Sequence, residues 1–397
     1  MPRATLEVAD IFQQHGAAYR AANPLPLGQL CVMRAVEVCR TATLGGHLEE
    51  CDHCAYTRNA YNSCRNRHCP KCQSLARAKW LESRKAELLP VEYFHVVFTL
   101  PEQMAEIAFY NKEVVYGILF RAASETLLTI AADPKHLGAG IGFFGVLHTW
   151  GQNLLHHPHV HFVVPGGGLS ADHERWTNCL RGFFLPVKVL SRLFRRLFLE
   201  LLEDAFYRGR LQWFGSIEPL RDALAFNACL RSHEEREWVV YAKPPFGGPQ
   251  QALAYLGRYT HRVAISNERL VSLQDGQVSF QWKDYRHKHK QNSKVMTITA
   301  DEFTRRFLLH TLPAGFQRIR HFGYLANCHR KKKLALCRRL LLVPVTELLP
   351  GPAACRELLQ TLLEKVVESC PKCGIGAMIR VGVLPVYRWP ARPPDSS

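Results

Sequence analysis

The chain has 397 residues, 47% of them hydrophobic, which is enough to bury a substantial core in two or three domains. Its 51 lysine and arginine residues exceed its 34 aspartate and glutamate residues, and the formal net charge of +17 favours a polyanionic partner such as DNA, RNA or a membrane surface. No apolar run approaches the roughly 18 residues that span a bilayer, and the N-terminus lacks a signal-peptide core, so we expect an intracellular protein.

The N-terminal region combines a helical pattern with a cysteine-rich segment. Val8, Ile11 and Phe12 recur at helical spacing in a segment that runs to about Gly28. Residues 31–72 are rich in cysteine, histidine and glycine, which is typical of a small fold held together by metal. The 14 cysteines of an intracellular chain favour metal binding over disulfides.

Two Cys-x-x-Cys pairs in this segment predict a structural zinc site. The pairs are separated by 14 residues, close to the spacing of sites with four cysteine ligands. We therefore predict one tetrahedral Zn²⁺ site formed by four thiolates: Cys51, Cys54, Cys69 and Cys72. Further donors close by leave a different set of four, or a two-metal cluster, open: Cys39, His47, Cys64 and His68.

Basic side chains surround these pairs and predict a DNA-contacting surface. Arg65, Arg67 and Lys71 lie among the cysteines, and lysine and arginine on a rigid scaffold neutralise phosphates. A helix is predicted to follow, from about residue 74 to residue 89.

The centre of the chain alternates predicted strands with predicted helices. Four runs rich in β-branched and aromatic residues predict strands: 93–100, 143–149, 159–164 and 237–242. Amphipathic stretches predict helices at 103–132 and 186–208. This order predicts an α+β domain rather than a regular βαβ array.

A histidine-rich run in one of these strands is a candidate metal site. His159 and His161 project to the same face because side chains alternate along a strand. Two imidazoles and one oxygen donor suit Mn²⁺ and tolerate Mg²⁺. Gln152, seven residues before His159, is the predicted third ligand, and His148 and His157 compete with it.

Two tyrosines follow a loop rich in proline and glycine at 244–249. Tyr255 and Tyr259 are four residues apart, which places both phenols on one stripe of a helix. Aromatic residues on a core-facing stripe would explain the same spacing, but Arg258 and Arg262 make this stripe too polar to be fully buried. The pair predicts two interchangeable nucleophiles, with the arginines in contact with DNA.

The C-terminal part of the chain is strongly basic. Lys283 and Arg286 interleave with Trp282 and Tyr285, a mixture that suits single-stranded nucleic acid, although a solvated basic loop would look the same. After about residue 300 the chain is predicted to be helical, and no acidic residue lies between positions 318 and 339. Four cations there are predicted to follow DNA phosphates: Arg330, Lys331, Lys332 and Lys333.

A further Cys-x-x-Cys pair, Cys370 and Cys373, has the form of a zinc knuckle but supplies only two ligands. Cys328 with His329, or Cys355, could complete it. The tail beyond it is rich in proline and is predicted to be disordered.

The His-hydrophobic-His run and the Tyr-x-x-x-Tyr pair together resemble the HUH endonucleases, and within them the two-tyrosine transposases of the IS91 family. Similar blocks cover most of the chain: 64–72, 149–170 and 255–262. The resemblance implies an antiparallel sheet flanked by helices. It also implies three regions: an N-terminal helix and zinc-binding DNA-recognition domain at 1–90, the tyrosine nuclease at 91–300, and a basic helical region with a Cys-x-x-Cys pair and a disordered tail at 301–397.

The same resemblance implies a reaction. One tyrosine would attack single-stranded DNA at a transposon end, leaving a 5′-phosphotyrosine and a free 3′-OH, with Zn²⁺ as structural metal and Mg²⁺ or Mn²⁺ at the catalytic site. The second tyrosine would permit a second cleavage during rolling-circle-like transposition. Implied partners are single-stranded and transposon-end DNA and host replication or helicase factors, in the bacterial cytoplasm and on the nucleoid, with no membrane.

Three other functions fit parts of the pattern. A plasmid replication initiator or a conjugative relaxase would use the same metal and tyrosine chemistry. A zinc-dependent DNA-binding regulator without catalysis would keep the cysteines and the basic charge. An RNA-binding module would also explain the cations and aromatic residues.

Overall fold

Helices and antiparallel sheets make up the computed structural model, which describes residues 6–72, 80–81, 84, 87–243, 251, 263–283, 293–343 and 369–386. The predicted α+β class is confirmed. The predicted helix at 74–89 lies largely outside the described residues. Several residues with predicted roles lie wholly outside them: Tyr255, Tyr259, Arg258, Arg262, Arg286 and Cys355.

The described helices, in chain order, are α1 (Val8–Ala22), α2 (Leu27–Glu37), α3 (Glu102–Tyr110), α4 (Lys112–Ala132), α5 (Val187–Tyr207), α6 (Ala223–Glu234), α7 (Ala300–Leu309) and α8 (Arg330–Leu340). The described strands are β1 (Gly46–Cys51), β2 (Thr57–Tyr61), β3 (Tyr93–Thr99), β4 (Gly142–Trp150), β5 (His156–Pro165), β6 (Gly167–Leu169), β7 (Trp176–Asn178), β8 (Val240–Lys243), β9 (Leu270–Gln274), β10 (Gln277–Lys283), β11 (Ser293–Thr299), β12 (Ile319–Gly323) and β13 (Met378–Leu384).

A five-stranded antiparallel sheet in the order β12-β4-β5-β3-β8 forms the centre of the fold. In the middle strand, β5, the side chains of Val160, Phe162 and Val164 point to one face and are buried in the main core. Helices α4 and α5 cover that face. His159 and His161 point to the opposite face because side chains alternate along the strand.

The histidine face is covered over part of its area. Phe144, Val146 and Val163 form a small apolar cluster there, against which Trp80 and Ile319 pack. The covered area and the histidines lie side by side on the same strands. The sheet therefore offers a site at one end of this face instead of an open surface.

The predicted helical stretch at 103–132 consists of two helices, α3 and α4, which meet at the buried Asn111. Helix α4 is long and apolar enough, by length and composition, to cross a membrane, which corrects the expectation that no such run is present. However, 67% of its most apolar window is buried inside the protein. Tyr116, Leu119 and Phe120 are fully buried against the sheet, so its composition is that of a core helix.

The N-terminal helices share a core with a sheet from the second half of the chain. Strands β9, β10 and β11 form a meander, and helix α7 follows it. The ring of Phe12 in α1 packs edge-on against Phe307 in α7, with 5.3 Å between ring centroids. The turn of the β9–β10 hairpin is Asp275-Gly276, both with positive φ (48° and 70°). Asp-Gly between alternating residues is a strong hairpin signal in the sequence.

The C-terminal segment returns to the N-terminal cysteine region. Strand β13 pairs antiparallel with β1, giving a three-stranded sheet in the order β13-β1-β2. The predicted C-terminal region at 301–397 therefore includes a strand that pairs with the N-terminal hairpin.

Gly323 at the end of β12 is expected to be intolerant of a side chain. Its φ is +58°, and a Cβ there would clash with the carbonyl oxygen of Ile141 in the neighbouring chain segment. We expect Gly323→Ala to lower the free energy of unfolding by at least about 2 kcal/mol, measured by urea denaturation. Gly182→Ala is the matched control, because Gly182 also has positive φ (+73°) but open space around its Cβ, and should cost only about 1 kcal/mol. Equal losses in the two variants would contradict the clash.

Candidate metal and DNA-cleavage site

Three histidines converge on the histidine face of the central sheet. His148 in β4 lies directly opposite His159 in β5, and His161 follows on the same face of β5. The ligand atoms of the three rings all lie within 4.8 Å of one another. His148 and His161 are buried, whereas His159 is partly exposed. This arrangement can hold one metal ion that remains accessible from the side of His159.

Hydrogen bonds orient two of the rings for metal binding through Nε2. Nδ1 of His159 donates to the carbonyl oxygen of His157 at 2.6 Å. Nδ1 of His161 lies 2.7 Å from Nε2 of His95 in the neighbouring strand β3. Burial lowers the pKa of His95 to about 3, so this ring is neutral and can accept the hydrogen on Nδ1 of His161. Metal-binding histidines are commonly fixed in this way through the second ring nitrogen.

Gln152, the predicted third ligand, stays a prediction. It lines the same cleft beyond the end of β4, where its backbone carbonyl oxygen accepts a 2.6 Å hydrogen bond from Nη2 of Arg269. The antiparallel register of β4 and β5 also brings His148, one of the two competing candidates, opposite His159. His157, the other competitor, is exposed and contributes its backbone carbonyl.

The histidines open into a cleft of about 1030 Å³. Its lining also includes Trp282 and Lys283 at the end of β10. Lys283, a predicted DNA contact, is exposed, and Trp282 is half-buried beside it. An aromatic side chain and a cation therefore line the same cleft as the three histidines.

Eight of the described cysteines form two clusters of four. The first consists of Cys39, Cys64, Cys69 and Cys72, and the second of Cys51, Cys54, Cys370 and Cys373, each with its sulfur atoms within 4.8 Å of one another. In the first cluster, Sγ of Cys72 lies 3.4 Å from Sγ of Cys39 and 3.5 Å from Sγ of Cys64. Contacts with the Cys64 and Cys69 thiols lower the pKa of Cys39 to about 7.

The predicted set of four ligands is therefore divided between two places. Cys51 and Cys54 lie at the tip of the β1–β2 hairpin, whereas Cys69 and Cys72 lie beyond its base. A strand of six residues separates tip from base by roughly 17 Å, too far for one ion. Cys39 and Cys64, which the sequence left open as alternatives, complete the first cluster.

Comparisons with known proteins give the family. A family model described as "Putative transposase" matches residues 142–333, and the model of the IS91-type "Transposase zinc-binding domain" matches residues 11–100. The chain is 59% identical over 400 residues to "Putative transposase y4qJ" of Sinorhizobium fredii, covering 100% of both chains. This chain belongs to the IS91 family of transposases. It is also 29% identical over 295 residues to "Transposase for insertion sequence element IS801" of Pseudomonas savastanoi pv. phaseolicola, covering 73% of this chain and 68% of the relative. No solved structure matches the transposase.

Each of the two matched regions contains one group of candidate metal ligands. The three histidines lie within the transposase match, and the first cysteine cluster lies entirely within the zinc-binding match. The transposase therefore has a structural zinc-binding domain, as predicted.

Two of the predicted DNA contacts near the first cysteine cluster are engaged within the protein. The guanidinium of Arg67 donates to the carbonyl oxygens of Phe316 (2.6 Å) and Pro313 (2.7 Å), which docks the zinc-binding module on the rest of the chain. Lys71 forms an ion pair with Glu7, and its side chain is only 12% exposed. Both cations therefore have partners within the protein, and their contact with DNA stays a prediction.

The C-terminal basic run is also divided by its contacts. Nε of Arg330 lies 3.1 Å from Glu87, and Nζ of Lys333 lies 3.0 Å from a ring nitrogen of His173. Lys331 and Lys332 are exposed, as is Arg65 in the zinc-binding module. The sequence alone could not distinguish the paired cations from the exposed ones, because the partners of the paired cations come from distant parts of the chain.

Proposed function

We propose that this transposase is an HUH endonuclease that cleaves and rejoins single-stranded DNA at transposon ends through a 5′-phosphotyrosine intermediate. The observation that carries the proposal is the convergence of His148, His159 and His161 at one end of the central sheet face, beside an open cleft. Histidines that only filled a core would not be expected to converge beside an open cleft with their ring nitrogens held by hydrogen bonds.

The donor set fits a divalent transition metal. Among the residues that the structure describes, the donor set is three imidazoles and no carboxylate, which suits Mn²⁺ better than Mg²⁺, an ion that prefers oxygen ligands. A cation bound there would polarise a phosphodiester and reduce the negative charge that an attacking oxygen encounters. His95 and the carbonyl of His157 would keep two of the rings in the correct tautomer before DNA arrives.

Tyr255 and Tyr259 are the proposed nucleophiles. A phenol, with a pKa near 10, is a weak nucleophile at neutral pH and needs a positioned, polarised target. Its oxygen would form a bond to phosphorus while the bond to the 3′ oxygen breaks, and the leaving oxygen would take up a proton. The reverse reaction rejoins strands without nucleotide hydrolysis. In support, described residues on both sides of the tyrosine segment, Glu237, Val239 and Arg269, line the cleft.

The DNA strand would pass between the histidines and the end of β10. Trp282 offers a face on which a base can stack, and the exposed Lys283 can contact the neighbouring phosphate. A stacking face beside a cation is typical of sites for single strands, which supports single-stranded DNA as the substrate.

A covalent-adduct assay tests the proposal. The transposase would be incubated with Mn²⁺ and labelled single-stranded oligonucleotides from the ends of its element, beside Tyr255→Phe, Tyr259→Phe and the double variant. We expect a protease-sensitive adduct on the 5′ end of the product that disappears only in the double variant, since either phenol can attack. Tyr241→Phe, which removes an exposed phenol from β8, is the matched control and should keep the adduct.

The outcomes separate the alternatives. If the protein binds DNA but no strand yields an adduct, the catalytic proposal is wrong and a DNA-binding regulator is the better account. If RNA of matched sequence competes as well as DNA for binding, the substrate class is wrong.

A further inference from the structure

The second four-cysteine cluster joins the two ends of the chain. Cys51 and Cys54 lie at the tip of the β1–β2 hairpin, and Cys370 and Cys373 precede β13. The match to the zinc-binding domain covers residues 11–100 and so does not include the C-terminal pair. We propose that these four thiolates bind a second structural Zn²⁺ ion, which fastens the C-terminal segment to the N-terminal hairpin.

The sulfur–sulfur distances fit a tetrahedral zinc site. Sγ of Cys51 lies 3.8 Å from Sγ of Cys373, and Sγ of Cys54 lies 3.6 Å from Sγ of Cys370. Four Zn–S bonds of about 2.3 Å at tetrahedral angles place neighbouring sulfur atoms about 3.8 Å apart. A disulfide would need a separation of about 2.05 Å, so the thiols are spaced as metal ligands and not as oxidised pairs.

Backbone amides shape each Cys-x-x-Cys pair into a knuckle. The amides of His53 and Cys54 donate to Sγ of Cys51, each at 3.4 Å. In the C-terminal pair, the amide of Lys372 donates in the same way to Sγ of Cys370, also at 3.4 Å. Amide hydrogen bonds to sulfur stabilise the thiolate form that zinc requires and fix its direction.

The two knuckles also fit each other through groups other than sulfur. The amide of Asp52 donates to the carbonyl oxygen of Ala377 at 3.1 Å, and the amide of Ala377 donates to Oδ1 of Asp52 at 2.8 Å. A Cβ at Gly376 would lie 2.5 Å from Sγ of Cys51, so glycine permits the close approach. The pairing of β13 with β1 begins directly beyond this contact, with Met378 opposite Cys51.

Zinc bound by these four cysteines would help to hold the C-terminal segment against the N-terminal hairpin. Cys54 and Cys370 are 316 positions apart, and holding such distant residues together costs loop-closure entropy that the metal bonds would offset. Strand β13 contacts the hairpin at one edge only. Without zinc, residues 369–386 should therefore separate from β1.

The zinc content of the full chain tests the proposal. We expect elemental analysis to find two zinc ions per chain in the wild type and one in Cys370→Ser/Cys373→Ser. Cys51→Ser/Cys54→Ser should lose the same ion. The matched control is Cys229→Ser/Cys328→Ser, which removes two thiols outside both clusters and should keep two ions.

Protection of the thiols gives a second measurement that does not depend on folding of a variant. In the wild-type chain, alkylation followed by mass spectrometry should leave Cys370 and Cys373 unmodified until a chelator is added, when they should react together with Cys51 and Cys54. Two zinc ions in Cys370→Ser/Cys373→Ser, a single ion in the wild type, or rapid alkylation of Cys370 without chelator would each overturn the proposal.

Discussion

Replacing His148 by alanine is expected to lower the rate of single-strand cleavage by about 10³-fold, the equivalent of the several kcal/mol that a bound cation contributes to phosphoryl transfer. His148 faces His159 across the strand pair, and its ring centroid lies 4.5 Å from that of His161. Loss of one of three imidazoles should also weaken Mn²⁺ binding, which electron paramagnetic resonance of bound Mn²⁺ would measure. Cleavage would be measured as single-turnover formation of the tyrosine adduct.

Gln152→Ala is the matched control for His148→Ala. The substitution removes the side-chain amide that the sequence suggested as third ligand, but it keeps the carbonyl oxygen that accepts the hydrogen bond from Arg269. We expect cleavage and Mn²⁺ affinity close to the wild-type values. His148 is buried, so circular dichroism must show that His148→Ala is folded. A folded His148→Ala with normal Mn²⁺ affinity, alongside a defective Gln152→Ala, would show that Gln152 and not His148 is the third ligand.

Replacing Cys69 by serine is expected to unfold the N-terminal module. Cys69 is fully buried, and it belongs both to the first cysteine cluster and to the core formed by α1, α2 and α7. Zinc binding at structural sites contributes about 10–16 kcal/mol, and in small metal-held folds this energy is folding energy. Loss of one thiolate should remove a zinc ion and lower the melting temperature. Hydrogen exchange should show loss of amide protection in residues 8–37.

Cys31→Ser makes the same chemical change at an exposed position in α2, outside both clusters. It should leave the zinc content and the melting temperature unchanged. If Cys69→Ser kept its full zinc content and its amide protection, the first cluster would not be the metal site that stabilises the module.

Structural features that depend on the spacing of residues close together in the sequence were predictable, because local backbone geometry alone determines them. A side-chain period of two residues places His159 and His161 on one face and Val160 and Phe162 on the other, and the structure has this arrangement. The spacing of each Cys-x-x-Cys pair likewise predicted paired metal ligands, and each pair lies in a four-cysteine cluster. The hairpin at Asp275-Gly276 was equally local and could have been predicted.

The sequence by itself determined the α+β class, the family and the kinds of donor atom at each site, because these depend on residue type and near-neighbour spacing. Only the tertiary structure decided which donors meet. His148 joins the pair through the register of two strands, and Cys51 meets Cys370 through pairing of the two ends of the chain. The exposure of Lys71 was likewise decided by the tertiary structure, because its ammonium group pairs with Glu7, which is distant in the sequence.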